Sequence, residues 1–390
     1  MIRIENSKNA QRLSVDKKMY SLEDIRGVHL EVTTKCNARC PMCGRNAFGV
    51  VRPALPLTEL TLEDCKRIFP PAFLSQLTNI SVCGVYGDPV LANDLLKIIR
   101  YIRHNNPNLE IEIYTNGGVH SAAWWKKLAR VIGNGKVVFG IDGLEDTNYI
   151  HRRGTVFANI IRNAKAFIQA GGRAQWDFIV FRHNEHQVEQ ARKLSKKLGF
   201  EIFQVKRTSR FYNVLYEQDP ALKGLDEDFG KYPLYDTNGK KSGYIELPEN
   251  LYYRNASLKT IKILVKEFGS LIKYFDETLI NCQAMQTRWI FVSATGLVFP
   301  CCWVYQQGNY GPIYNVTDPL ELNEAKILHS IGGSRQISAK EHSLKEIVEG
   351  EFFRRIMESW NIRGLAKGRP KVCARHCGCR LDMHKKQHER

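Results

Sequence analysis

Val28-His29-Leu30-Glu31-Val32-Thr33-Thr34-Lys35-Cys36-Asn37-Ala38-Arg39-Cys40-Pro41-Met42-Cys43 joins a strand to a cysteine loop. Its first six residues place β-branched or apolar side chains at Val28, Leu30, Val32 and Thr33, in the manner of a half-buried strand. The three cysteines that follow lie on one tight loop. Three thiolates at this spacing can hold three irons of a 4Fe–4S cluster and leave the fourth iron without a protein ligand. An open metal position is what lets a cofactor or substrate coordinate. A zinc loop would want a fourth protein ligand nearby, but His29 is on the strand and no other His is close in sequence.

Outward from this stretch, strands and helices alternate. Further apolar runs stand at Ile80–Val85, Glu110–Tyr114, Val137–Ile141, Trp176–Phe181 and Ile202–Val205. Between them, Leu91, Leu95, Ile98, Ile99 and Ile102 recur at helical steps, as do Phe157, Ile160, Ile161, Ala164 and Ile168, and then Val188, Ala191, Leu194 and Leu198. Such alternation predicts parallel βα units over residues 27–207. Periodicity does not choose between a partial or full α/β barrel and an open doubly wound sheet. Residues 208–280 break the rhythm and read as a connector that covers the site, with turn signals at Asn238-Gly239 and Ser242-Gly243. Trp289–Val292 and Leu297–Phe299 flank Ala294-Thr295-Gly296 as a β-hairpin would. A last helix is expected over Leu344–Trp360.

The chain has 390 residues and is 43% hydrophobic, enough for one large domain and a smaller one. Residues 1–26 form an N-terminal extension without the apolar segment of a signal peptide. The longest apolar stretch, Trp289–Tyr305, is too short and too broken by Ser293, Thr295, Gly296 and Pro300 to span a bilayer. The expectation is a soluble cytoplasmic protein with no membrane partner. Eleven cysteines, an odd number without an export signal, point to metal rather than disulfides. Nine fall into two groups, Cys36/Cys40/Cys43 and Cys282/Cys301/Cys302/Cys373/Cys377/Cys379, while Cys65 and Cys83 read as small buried hydrophobes. A net charge of +17 favours anionic partners, nucleic acid among them, or is simply a solvated basic surface. The tail carries Arg363, Lys367, Arg369, Lys371, Arg375 and Arg380 beside the second cysteine group.

The Cys-x3-Cys-x2-Cys loop after a first strand resembles the signature of the radical S-adenosylmethionine (SAM) superfamily. Met42 stands where that family usually has an aromatic. Further likenesses follow in order. Gly84-Val85-Tyr86-Gly87-Asp88-Pro89 resembles the family's Gly-Gly-Glu-Pro motif, which holds the SAM amino group. Thr115-Asn116-Gly117 ends the third strand and Ile141-Asp142-Gly143 the fourth. Gly140 replaces a Ser common in relatives. Arg153, ahead of Gly154, resembles the arginine that pairs with the SAM carboxylate, a geometry that a guanidinium fork suits. The resemblance implies a partial (β/α)6 TIM-like barrel with its site at the C-terminal strand ends. It also implies a 4Fe–4S cluster on Cys36, Cys40 and Cys43, and SAM held by Gly87, Asp88, Pro89, Thr115, Asn116, Asp142 and Arg153. A one-electron donor such as a flavodoxin or ferredoxin would then be needed.

Residues 281–390 resemble the SPASM/twitch extension of the same superfamily, through the spacing Cys282, Gly296, Cys301. Cys282, Cys301, Cys373 and Cys377 are the expected ligands of a second, auxiliary 4Fe–4S cluster. Cys379 is an alternative to Cys373 or Cys377, and a four-cysteine zinc site is the competing chemistry. The implied activity is reductive cleavage of SAM to a 5′-deoxyadenosyl radical that abstracts hydrogen from a small-molecule or peptidyl substrate. Modification of a nucleic acid or nucleotide is a second reading. A non-catalytic electron-transfer protein is a third, although such a protein would ligate every iron itself. His183, Asn184, Glu185, Lys206 and Arg207 occupy strand ends, where they either meet substrate or cap and solvate.

Overall fold

The computed structural model of the chain describes residues 20–47, 49–211, 230–310 and 322–381. Most of the N-terminal extension, part of the connector and the last basic residues lie outside the described residues. Strands are numbered β1 (Gly27–Leu30), β2 (Asn46–Ala47), β3 (Val50–Val51), β4 (Asn79–Val82), β5 (Glu110–Thr115), β6 (Lys136–Gly140), β7 (Arg173–Ile179), β8 (Ile202–Lys206), β9 (Lys231–Tyr235), β10 (Lys241–Glu246), β11 (Trp289–Val292) and β12 (Val298–Phe299).

The main sheet has the order β12-β11-β1-β4-β5-β6-β7-β8. Strands β1 and β4 to β8 are parallel and stand in chain order. Helices Leu95–Asn105, Ala122–Ile132, Phe157–Gln169 and Val188–Leu198 make the crossovers. This is a mixed α/β architecture dominated by a parallel sheet, consistent with a partial TIM-like barrel. The six expected strands are all present. β1 ends at Leu30, earlier than its pattern indicates, because Thr33 and Thr34 turn away. Thr33 Oγ1 donates to Thr58 O at 3.0 Å and Thr34 Oγ1 to Pro56 O at 2.6 Å.

Alternation along the strands separates two faces. Val28, Leu30, Ile80, Val82, Ile111, Ile113, Val137, Phe139, Trp176 and Phe178 are buried in one continuous core. The intervening His29, Ser81, Glu112, Tyr114, Gln175, Gln204 and Lys206 are only half-buried. Barrel interiors are ordinarily filled by bulky branched side chains. Here much of the second face is polar and half-buried, although Val138 and Asp177 on it are buried.

The expected C-terminal hairpin forms, but it continues the barrel sheet. β11 pairs parallel with the free edge of β1, Val28 opposite Ile290, and β12 pairs antiparallel with β11. The connector supplies the hairpin β9–β10, turned at Asn238-Gly239, and a bulge at Lys241/Gly243. The expected single helix over Leu344–Trp360 is two, Leu344–Val348 and Glu351–Ser359. Gly350 takes an extended backbone between them and starts the second helix. Two of the tail cations are not at the surface: Arg369 and Arg375 are buried. Arg369 points inward because its guanidinium caps the carbonyls of Ile362, at 2.8 Å, and Thr278.

Candidate metal and cofactor site

The Cys36–Cys43 loop leaves the C-terminal end of β1 and is tied down on three sides. Asn116, at the end of β5, donates to Asn37 Oδ1 at 2.9 Å and approaches Cys36 Sγ at 3.9 Å. Asn46 Nδ2 donates to Cys40 O at 3.0 Å. Arg39 N donates to Arg153 O at 2.7 Å. Burial pushes the Cys40 thiol up to about 11, while Arg152 pulls the other way. The Cys36 thiol is also raised, by burial first and then by Asp88 and Cys43. The three sulfurs feel one another's charge, so they share one microenvironment. Among the described residues, no three His, Cys, Asp or Glu side chains converge on a site for one metal ion.

The Gly84–Pro89 turn packs backbone to backbone on this loop. A Cβ on Gly87 would stand 1.8 Å from Thr33 O, and one on Gly84 1.9 Å from Gly87 O, so neither position has room for a side chain. Asp88 N donates to Lys35 O at 2.8 Å. The Asp88 carboxylate accepts from Thr115 Oγ1 at 2.8 Å, Asn116 N at 2.7 Å and Val90 N at 3.3 Å. It therefore fastens the turn to the end of β5, and Pro89 opens a short helical turn behind it. Glu31, which sequence reasoning passed over, accepts from Tyr86 N at 2.7 Å, and burial raises its carboxyl to about 7.

At the end of β6, Asp142 is fully buried. It accepts from His151 Nδ1 at 2.7 Å, Arg152 Nε at 2.5 Å and Ile179 N at 2.8 Å. Burial opposes its charge, yet Arg152 and His151 outweigh that and hold it well below the usual carboxylate range. Arg153, by contrast, donates to Tyr235 O at 2.6 Å in the connector hairpin. The residue whose charge acts on the cysteine loop is its neighbour Arg152, a favourable electrostatic partner of Cys40. A visible signal pointed to it. Gly140 breaks the family-like Ser-Ile-Asp-Gly pattern, and a Cβ there would lie 2.4 Å from Arg152 Nη2.

The second cysteine group gathers from three separate segments. Cys282 hydrogen-bonds Cys377, and Cys301 and Cys373 act on it through their charges. A cavity of about 240 Å³ adjoins them, lined by Cys282, Cys301, Cys302, Cys377, His376 and, from β1, His29. Cys379 is exposed, its amide bonded to Leu279 O at 3.0 Å. Cys65 is buried as expected, whereas Cys83 is half-buried on the polar face. There Lys206 pairs with Asp177 and lies 5.7 Å from the Tyr114 ring centre. Tyr114 donates to Glu112 at 2.7 Å, which also pairs with Lys136 at 2.7 Å. Asn184 ties Phe181 N, Ile179 O and Asp142 O together, and Glu185 accepts the amides of Glu249 and Asn250.

Residues 30–194 match the family model described as the Radical SAM superfamily. This match is to a domain of that superfamily. It takes in the cysteine loop, the Gly84–Pro89 turn and strands β4 to β7, whereas the second cysteine group lies beyond it. Two curated relatives come from Methanocaldococcus jannaschii. The 7,8-dihydro-6-hydroxymethylpterin dimethyltransferase is 26% identical over 145 residues, 35% of this chain and 27% of that protein. The FeMo cofactor biosynthesis protein NifB is 29% identical over 112 residues, 27% of this chain and 37% of that protein. The chain thus spans about a third of the length of the curated relatives it matches. Among solved structures, Streptococcus suis SuiB bound to S-adenosylmethionine aligns with TM-score 0.47 and 15% identity, covering 73% of this chain and 61% of that one. Native anSMEcpe with bound AdoMet aligns with TM-score 0.47 and 15% identity, covering 93% and 92%. Among the described residues no helix is long and apolar enough to cross a membrane.

Proposed function

We propose that this chain is a radical SAM enzyme in which Cys36, Cys40 and Cys43 hold a 4Fe–4S cluster, with SAM on its open iron. The observation that carries the reading is the way the loop and the Gly84–Pro89 turn are built together. Three thiols share one loop at a strand end, and two glycines keep the adjoining backbone bare. When bound, the cluster and SAM would supply a 5′-deoxyadenosyl radical able to take hydrogen from an unactivated C–H bond. The protein's part is position and exclusion of water. Asp88 holds the turn against Thr115 and Asn116, and Gly87, Asp88 and Pro89 are the residues that would hold the SAM amino group. Arg153 flanks the loop and is the proposed partner of the SAM carboxylate. Asp142 fixes Arg152 and His151 at the end of β6.

Cys282, Cys301 and Cys377 line one cavity and the charge of Cys373 acts on Cys282; this thiol chemistry fits a second cluster of the twitch kind, and we propose these four as its ligands. The half-buried polar face of the sheet supports a hydrogen-bonding substrate, a small molecule or a peptide segment. The electron donor is proposed to be a flavodoxin- or ferredoxin-like protein.

The test is anaerobic reconstitution followed by reduction in the presence of SAM. 5′-Deoxyadenosine and methionine should appear, slowly without substrate, and substitution of any one of Cys36, Cys40 or Cys43 should abolish both. A protein that binds iron but releases no 5′-deoxyadenosine would return the reading to electron transfer.

A further inference from the structure

Arg152 occupies an unusual position. It is mostly buried, its Nε is bonded to a fully buried carboxylate, the next residue's carbonyl accepts from Arg39 N of the cysteine loop at 2.7 Å, and its charge acts on Cys40. Burying a guanidinium costs free energy unless opposite charge answers it. Asp142 answers it, but Asp142 also accepts from His151 and from Ile179 N. Of the charged groups acting on Cys40, Arg152 exerts the largest influence. The space it fills exists because residue 140 has no Cβ. Gly140, Asp142, His151 and Arg152 are therefore one unit, aimed from the end of β6 at one sulfur of the loop.

We propose that Arg152 is the built-in positive partner of the Cys36–Cys40–Cys43 cluster, seated on Gly140 and oriented by Asp142, and that it raises the reduction potential of that cluster. The inference rests on the cluster assignment made above. A nearby positive charge favours the more negative, reduced form of an iron–sulfur centre. Arg152 is thus a positioning and redox-tuning residue rather than a catalytic one. The role accounts for glycine at position 140: a side chain there would displace the guanidinium from its seat.

The experiment is a spectroscopically monitored redox titration of the reconstituted full-length chain without SAM. The signal of the first cluster is defined as the one lost when Cys36, Cys40 and Cys43 are all replaced by Ala. Arg152→Gln should load iron and shift the midpoint of that signal negative by a tenfold change in equilibrium or more, 59 mV for one electron. Arg152→Lys, which keeps the charge but not the fork, should shift it less. Gly140→Ala is the second arm, because it keeps every charge and displaces only the far end of a flexible side chain. It should move the midpoint in the same direction. An unchanged midpoint in a fully loaded Arg152→Gln protein overturns the proposal. Should that variant fail to fold or to load, an unchanged midpoint in Gly140→Ala overturns it instead. If the wild type shows no signal that the triple cysteine variant loses, the cluster assignment itself has failed, and that result is distinct from either of these.

Discussion

Glu31 shows how one side chain couples the two ends of this sequence. Its carboxylate bonds the amide of Tyr86, and further backbone contacts reach Ala294 in the C-terminal hairpin. Cys83 and Cys302 lie in its field. Desolvation dominates and raises its pKa to about 7. A carboxyl whose folded pKa is raised binds its proton more tightly in the native state than in the unfolded one. Its stabilisation is therefore complete below the ordinary carboxyl range and is lost as pH rises toward 7. The size is on the order of a few kcal/mol. Urea titrations of the metal-free protein at pH 5 and pH 8 should show this loss, and Glu31→Gln should flatten it. An equal pH slope in the variant would refute the assignment. At Asp88, the side-chain hydrogen bonds described above all run toward the carboxylate. Asp88→Asn should destabilise by about 1–3 kcal/mol, because an amide cannot accept from all three donors. SAM affinity should fall with it, as the turn comes loose from β5.

At the scale of elements, the strands gain their stability on one face only. Phe139 of β6 packs against Trp125, Phe167 and Phe200, with ring centres 5.3, 6.2 and 5.9 Å away. Phe139→Ala should cost about 3–5 kcal/mol, as large-to-small changes in well-packed cores do. Tyr114→Phe on the opposite face of β5 should cost much less, since much of that face is only half-buried. Chemical denaturation of both variants checks the contrast, and similar losses would show that the second face is packed after all. The connector hairpin is held to the cysteine loop by single contacts, among them Arg153 to Tyr235 O and Tyr232 to Pro41 O. Arg153→Ala should leave the fold intact and weaken SAM binding. Unchanged SAM affinity would remove Arg153 from the site.

For the whole molecule, the first cysteine loop follows β1, and Cys282 and Cys301 flank the hairpin β11–β12 that extends the edge of β1. Reconstituted protein should bind about eight irons, two 4Fe–4S clusters' worth, and the triple Ala variant of Cys36, Cys40 and Cys43 about four. Zinc at the second group instead would overturn the auxiliary-cluster proposal. The charge of +17 remains, but the tail contributes less surface than its composition promised. Arg369 and Arg375 are buried, and Arg380 pairs with Glu267 at 2.7 Å. Nucleic-acid binding, if it occurs, should weaken steeply with salt. Only a nucleic acid that also accelerates 5′-deoxyadenosine formation would favour that reading over a small-molecule or peptide substrate.

The sequence by itself determined the parallel units, because strand and helix periodicities are local and repeat in order from β1 to β8. It also marked the first cysteine loop, since three thiols within one turn of chain need no tertiary contact to be neighbours. Tertiary structure alone decided the rest. Arg152 and Arg153 are adjacent and chemically identical, and only the packing of β6 sends one to Cys40 and the other to Tyr235. Cys377 and Cys379 differ by two positions, and the end of the last helix turns one inward and leaves the other exposed. β11 joins β1 across more than two hundred residues, a pairing set by register between strands that local pattern cannot encode.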